Sequence, residues 1–199
     1  MLRSLHILLA VALAGMGGAE KPSYKGPNSL GPFRIDKDIS MKSLFERLGT
    51  PSSAAGNVFC YRAKDERAFL VLTRMAEAYD SKIAGGALLS DFRNCVDRSS
   101  QVTPDDLAAW KTEQGVGLGS TAEDVRKAYG KPSKEDKVGG TSYRWVIHGD
   151  FNSNHYRNEK RPEIGDTVLV YQGASDDLST AEFGIRDGQV VWIFVSKNE

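Results

Sequence analysis

Two histidines and an aspartate in one polar segment are the residues of this chain whose types could do chemistry. His148, Asp150 and His155 lie in the stretch HGDFNSNHYRNEKRPEIGD. A histidine oriented by a carboxylate can act as a general base, and a His, Asp, His set can bind a metal ion. The spacing matches no metal signature, and the segment is rich in polar and turn-forming residues. We therefore expect a solvated loop with no metal, cofactor or catalytic residue, and keep a hydrolase using His148 or His155 as the less favoured alternative.

The two cysteines, Cys60 and Cys95, offer a second kind of chemistry. Neither lies in a C-x-x-C motif or beside a histidine, so a reactive thiol or a metal ligand is the less favoured interpretation. An even number of cysteines in an exported protein is typical of a disulfide. Closing a loop of about 35 residues would stabilise the fold by roughly 3–4 kcal/mol. We expect a single disulfide between Cys60 and Cys95.

A cluster of glycines resembles a phosphate-binding loop at first sight. Gly115, Gly117 and Gly119 precede a helical pattern, but no Gly-Lys-Ser/Thr follows, and their spacing differs from the dinucleotide fingerprint. Turn-forming glycines are the simpler interpretation. The mixed charges of residues 158–161, Asn-Glu-Lys-Arg, likewise favour a solvated loop over an anion site.

The elements that would position these residues form two copies of one pattern. Residues 40–51 read SMKSLFERLGTP and residues 121–132 read TAEDVRKAYGKP, at an offset of 81. Each copy has apolar residues at i, i+3 and i+7, then a glycine and a proline, which predicts a short helix that stops at a left-handed glycine. Ser120 followed by Glu123 predicts a capping box at the start of the second helix.

Strand patterns follow each helix, so the fold class is α+β. Each copy is expected to be a short helix, or helix pair, packed on a small antiparallel β-meander sheet. Asp187-Gly188 predicts a type I′ hairpin turn, and Thr103-Pro104 predicts a linker helix through Trp110. The predicted strands are residues 59–62, 68–73 and 82–90 in the first copy and residues 141–145, 167–172, 181–186 and 189–196 in the second. The pairs Tyr61-Arg62 and Tyr143-Arg144 are expected to occupy equivalent positions in the two copies.

The repeated unit resembles the SmpA/OmlA (BamE) family of small envelope domains. The resemblance is carried by GLGSTAEDVRKAYGKP, by the Leu/Tyr-Gly-x-Pro helix ends and by the closing hairpin FGIRDGQVVWIFVS. Two tandem copies are similar in layout to the beta-lactamase inhibitory proteins. The resemblance implies helices on three- or four-stranded antiparallel sheets and a non-catalytic binding scaffold.

The N-terminus predicts export. Residues 1–19 combine one positive residue, an apolar run and a small-residue end, as a Sec-type signal peptide does. The apolar run is shorter than the roughly 20 residues that a spanning helix needs. We expect cleavage near Ala19 and a periplasmic or secreted chain with no stable membrane anchor. The remaining predicted units are an N-terminal extension (20–34), repeat 1 (35–98), a linker helix (99–114) and repeat 2 (115–199).

Composition restricts the class of partner. The chain has 199 residues, which allows one domain or two small ones, and its 40% hydrophobic content can form a core. The 26 basic and 26 acidic side chains cancel, so no net field attracts a phosphate backbone. Nucleic acid is therefore not an expected partner.

Aromatic residues of the sheet are the candidate binding residues. Strict alternation puts Val190, Trp192 and Phe194 on one face of the last strand and Val191, Ile193 and Val195 on the other. If the first face is open, Trp192 and Phe194, joined by Tyr143 and Trp145, form an aromatic patch of the kind that binds proteins. The alternative is that these aromatic side chains belong to the core.

These observations predict an exported, non-catalytic binding protein of the cell envelope. Its expected partner is another envelope or secreted protein, recognised through the sheet face. The alternative ligand is a small envelope molecule, such as a glycan or lipid fragment, bound in a concave aromatic cleft between the two repeats.

Overall fold

The part of the chain that the structure describes is α+β, as the sequence predicts. The computed structural model describes residues 24–34, 40–51, 58–74, 83–90, 101–137, 165–173 and 178–198. The helices are α1 (Met41–Leu48) and α2 (Ala122–Tyr129). The strands are β1 (Ser29–Leu30), β2 (Phe33–Arg34), β3 (Val58–Arg62), β4 (Phe69–Arg74), β5 (Ile83–Leu89), β6 (Gln101–Val102), β7 (Lys134–Lys137), β8 (Thr167–Gln172), β9 (Leu178–Arg186) and β10 (Gln189–Asn198). The predicted signal peptide and the predicted strand at 141–145 lie outside these residues.

Eight of these strands form one continuous sheet in the order β6-β3-β4-β5-β10-β9-β8-β7. Neighbouring strands are antiparallel except for the β3–β6 pair, which is parallel. The pairing of β5 with β10, from Leu89↔Trp192 to Gly85↔Ser196, joins the strands before residue 107 to those after residue 119. We call this pairing the central seam. It covers two strand edges that would otherwise offer unpaired backbone groups to other chains.

Both helices pack on the same face of the sheet. Leu44 and Leu48 of α1 and Val125 of α2 are fully buried, and Tyr129 is buried beside them. All four belong to one core cluster that also holds sheet residues of both halves. We call this side of the sheet the helix face.

The second helix begins one residue later than the sequence predicts. Thr121, not Ser120, is the N-cap, and its capping-box partner is Asp124, not Glu123. The reason lies in the preceding chain, because the Ser120 carbonyl accepts a hydrogen bond from Val190 N at 2.7 Å and so continues the sheet. Hydrogen bonds from the backbone and side chain of Thr121 lower the pKa of Asp124.

Each helix ends on a glycine that is tied to the sheet by a tyrosine. Gly49 (φ 89°, ψ 156°) and Gly130 (φ 77°, ψ −156°) adopt a region that is essentially restricted to glycine, instead of the predicted left-handed helical one. Tyr61 OH donates to the Gly49 carbonyl at 3.2 Å, and Tyr171 OH donates to the Gly130 carbonyl at 3.0 Å. Burial raises the pKa of both tyrosines above its ordinary value.

The alternation predicted for the last strand is wrong for two residues, Val190 and Val191. Val190 packs with Ile193 in the helix-face cluster, whereas Val191 packs with Trp192 on the opposite side. The register between β9 and β10 shifts between Val190 and Trp192. Such a bulge inserts one extra residue and therefore reverses the phase of the alternation before it.

The predicted linker helix is a single 3₁₀ turn at Leu107–Ala109. Trp110 is already extended (φ −68°, ψ 139°). Its neighbour Lys111 forms an antiparallel bridge with Gly117, and a helix cannot continue into such a bridge. Residues 101–102 also lie within the predicted linker helix, but they form β6.

The predicted N-terminal extension contributes to the core. Its described residues, 24–34, form the β1–β2 hairpin, and Leu30 is 2% exposed within the helix-face cluster. The hairpin contacts the connecting segment 107–119, which we call the connector.

Candidate protein-binding face of the sheet

The sheet face opposite the helices is apolar across both halves of the sheet. We call it the second face. Its buried cluster consists of Cys60, Phe69, Val71, Ala87, Leu89, Val168, Val170, Trp192 and Phe194. All of these are strand residues, and among the described residues none from α1 or α2 joins them.

The strand register arranges this face in two parallel rows. Residues directly opposite each other on neighbouring strands share a face, so pairings can be followed from strand to strand. The first row is Cys60, Val71, Ala87, Phe194, Glu182 and Val170, and the second row is Phe69, Leu89, Trp192, Gly184 and Val168. Both rows cross the central seam without interruption.

Trp192 and Gly184 form a complementary pair in the second row. They are directly opposite on β10 and β9. A Cβ atom on Gly184 would lie 1.9 Å from the Trp192 indole nitrogen Nε1. The indole therefore lies across the Gly184 backbone in space that any larger residue would occupy.

The expected exposure of the two aromatic residues is not found. Trp192 is 1% exposed and Phe194 is 3% exposed, so the core alternative holds for both. They lie on β10, which has strands on both sides, in the middle of the rows. Tyr143 and Trp145, the other two candidates, lie outside the described residues. The role of these four residues in binding a protein stays a prediction.

A buried carboxylate in the first row was missed by the sequence analysis. Glu182 is 3% exposed and lies between Phe194 and Val170. Burial of a carboxylate is unfavourable unless hydrogen bonds or an opposite charge compensate for the lost hydration, so a glutamate on an apolar face is unusual. In the sequence, the apolar neighbours Ala181 and Phe183 are typical of a half-buried strand in which Glu182 would face water. In the structure Glu182 is instead buried on the second face, which alternation alone does not show.

The margin of the second face is polar. At the β7 edge, Lys134 Nζ lies 2.6 Å from Asp136 Oδ2, and these residues continue the two rows beyond β8. At the opposite edge, Arg62 continues the second row and forms an ion pair with Glu66. Gln172, at the end of β8, is exposed. An apolar centre with a polar margin is the usual layout of a protein interface.

Gly115 and Gly119 of the connector lie in turns, as the sequence predicts, whereas Gly117 lies in a β-bridge. Gly115 and Gly119 have φ values of +82° and +81°, and no atom lies within 4 Å of where a Cβ would be. Gly117 pairs with Lys111, and its Cβ would lie 2.8 Å from the Trp110 carbonyl oxygen. This close approach explains why residue 117 is a glycine.

Most of the other candidate reactive residues lie outside the part of the chain that the structure describes. His148, Asp150, His155, residues 158–161 and Cys95 are not among the described residues. Cys60 is 5% exposed in β3, and no described cysteine is a free thiol. Its pairing with Cys95 stays a prediction.

Comparison with known proteins finds no matching family model, no matching curated protein and no significantly similar solved structure. Within the described ranges, no helix has the length and apolar character needed to cross a membrane. The same residues contain no group of three or more His, Cys, Asp or Glu side chains that could hold a metal ion.

Proposed function

We propose that this chain is an exported, non-catalytic binding protein of the cell envelope that recognises another protein through the second face of its sheet. The observation that carries the proposal is the pair of apolar rows that crosses the central seam. In an α+β domain, a sheet face without helices is commonly solvated and polar. Here every apolar side chain of the two rows is at most 5% exposed, so the rows are already covered within the chain, and a partner would bind at their polar margin.

Accessible contacts lie at the margin of this face. Because Trp192 and Phe194 are buried, they would not touch the partner themselves. They would hold the strands in place, while exposed side chains at the margin contact the partner. Gln172 is the best placed of these, since it is exposed and lies on the side of β8 that carries Val168 and Val170. Interfaces of this kind combine a buried aromatic centre with a polar surround.

The proposal includes two tandem BamE-like copies. One copy would be α1 followed by β3–β5, and the other α2 followed by β8–β10. The sheet order supports this division, because β3-β4-β5 is followed by β10-β9-β8 as in two units related by a two-fold rotation.

The hydrogen bonds from Tyr61 to Gly49 and from Tyr171 to Gly130 also support two copies. Each bond links the strand that begins a proposed three-strand unit, β3 or β8, to the end of the preceding helix. The counterpart of Tyr61 would then be Tyr171 and not Tyr143. This assignment would replace the equivalence expected from the sequence, whose second member, Tyr143, lies outside the described residues. The longer interval between α2 and β8 would hide the match in the sequence.

Affinity purification of tagged residues 20–199 from the envelope and medium of the source cells tests the proposal. We expect one stoichiometric protein partner, identified by mass spectrometry. Its affinity should then fall about tenfold or more for Gln172→Arg, because a long charged side chain at the margin would clash or remain unpaired, and tenfold corresponds to ~1.4 kcal/mol.

Gln114→Arg is the matched control, because Gln114 is also exposed but lies on the connector, on the helix side. It should leave the affinity unchanged. Weaker binding for Gln114→Arg together with unchanged binding for Gln172→Arg would move the interface to the helix side and reject the proposal. A folded chain that retains no protein partner would reject it as well.

A further inference from the structure

The N-terminal hairpin is a separate small unit on the helix face. β1 pairs with β2 through Ser29↔Arg34 and Leu30↔Phe33, and neither strand joins the eight-stranded sheet. A hairpin with two-residue strands is not stable on its own in water. Its conformation therefore depends on its contacts with the rest of the chain.

One carboxylate makes most of the polar contacts that hold this hairpin. Glu113 Oε1 accepts a hydrogen bond from Asn28 N at 3.1 Å. Glu113 Oε2 accepts from Ser29 N at 3.0 Å and from Ser29 Oγ at 2.7 Å. Gly31 N donates to the Lys111 carbonyl at 2.9 Å. Three of these four described bonds would be lost with the Glu113 side chain.

Apolar contacts place the hairpin over the middle of the sheet. Leu30 Cδ2 lies 3.7 Å from the position of a Cβ on Gly86 of β5, which is one of the two strands of the central seam. Phe33 meets the Trp110 ring edge-on, with ring centroids 5.5 Å apart. A Cβ on Gly31 would lie 2.4 Å from the same indole, so only glycine allows this approach. Leu30 thus fills a slot between the sheet and Trp110.

We propose that residues 24–34 are a latch, which opens as a unit while the eight-stranded sheet stays folded and thereby uncovers an apolar slot between Trp110 and Gly86. Parts of a protein with few long-range contacts open at lower free energy than the core. Four of the described hydrogen bonds join the latch to the connector. Leu30 and Ser29 are buried, whereas Phe33 is only partly buried against the core. The sheet strands beneath it are paired along their whole described length on both sides of the seam.

This device is independent of the proposed interface, because the latch lies on the helix face and the interface lies on the second face. It also bears on where a small ligand could bind. On the helix side, the slot beside the seam is occupied by Leu30, so a ligand could enter there only after the latch opens.

Hydrogen exchange of the exported chain, followed by mass spectrometry, tests the latch. In Glu113→Ala, amides of residues 28–34 should exchange about tenfold faster or more, while amides of β5 and β10 keep their wild-type rates. Glu135→Ala is the matched control, because Glu135 is an exposed carboxylate of β7 paired with Arg126 at 3.0 Å. It should leave latch exchange unchanged.

The denaturant dependence of exchange in the unmodified chain gives a test that needs no variant. Latch amides should show a smaller dependence than β10 amides, since a smaller surface is exposed on opening. Equal dependence in both regions would show that the hairpin opens only with the whole protein and would overturn the proposal. Unchanged latch exchange in a folded Glu113→Ala chain would overturn the role of Glu113.

Discussion

At the scale of single residues, glycine is used where another side chain needs its space. Gly184 leaves room for the Trp192 indole on the second face, and Gly31 of the latch leaves room for the Trp110 indole. In each case the neighbour is a buried tryptophan. A glycine in a strand is unfavourable for chain entropy, but here it permits the burial of a large aromatic surface.

Substitution of Gly184 by alanine should lower the free energy of unfolding by about 1–3 kcal/mol, because the new methyl group overlaps the indole. Denaturant unfolding followed by circular dichroism measures this change. Trp192→Phe in the same chain should recover part of the loss, with a coupling of at least ~0.5 kcal/mol in a double-mutant cycle. Strictly additive effects would contradict the arrangement.

At the scale of elements, the ends of the two helices are anchored to the sheet in the same way. The hydroxyl groups of Tyr61 and Tyr171 satisfy glycine carbonyls that have no partner within the helix. Tyr129 adds a bond from α2 to the connector, since its OH donates to Thr112 Oγ1 at 2.6 Å. Buried tyrosines thus determine where each helix stops relative to the strands.

Tyr61→Phe and Tyr171→Phe should each lower stability by about 0.5–1.5 kcal/mol, the net contribution of one hydrogen bond. These variants should also change the alkaline behaviour. The folded-state pKa of each tyrosine lies above its ordinary value of 10.0, so the neutral form is favoured in the folded chain. The contribution of these two tyrosines to stability should therefore be constant below about pH 10 and fall as the pH rises above it.

Unfolding free energies at pH 9 and pH 11 measure this effect. The phenylalanine variants should lose less stability over this interval than the unmodified chain. An equal loss in all three proteins would mean that other groups cause the alkaline sensitivity.

At the scale of the whole molecule, the two halves share one sheet, and the predicted disulfide belongs to the first half. The pairing of Cys60 with Cys95 would connect β3 to the segment between β5 and β6. Because Cys60 lies in the first row of the second face, a bond there would also restrain that face.

The mature chain should have a mass two units below that of its reduced form and no thiol that reacts under denaturing conditions. Reduction should lower the free energy of unfolding by roughly 3–4 kcal/mol. Cys60→Ala with Cys95→Ala is the control, since its stability should not respond to a reductant. Two titratable thiols in the untreated protein would refute the prediction.

Local residue patterns were enough to predict the individual helices, strands and turns. It predicted β8 with its observed bounds, both helices to within about one residue, and the turn at Asp187 and Gly188, whose φ values are +51° and +77°. These features depend on residues close together in the chain: an apolar period, a cap, a glycine stop and a turn pair. Local side-chain and backbone preferences are sufficient to produce them.

The features that join distant residues depend on the complete fold. The central seam brings β5 beside β10, and in the assembled sheet Trp192, Phe194 and Glu182 are at most 3% exposed. Alternation identifies which residues share a face, but it cannot show whether that face is covered. The bulge after Val190 and the docking of Leu30 also depend on partners far along the chain. Such contacts are selected by the packing of the complete sheet, for which a local pattern carries no signal.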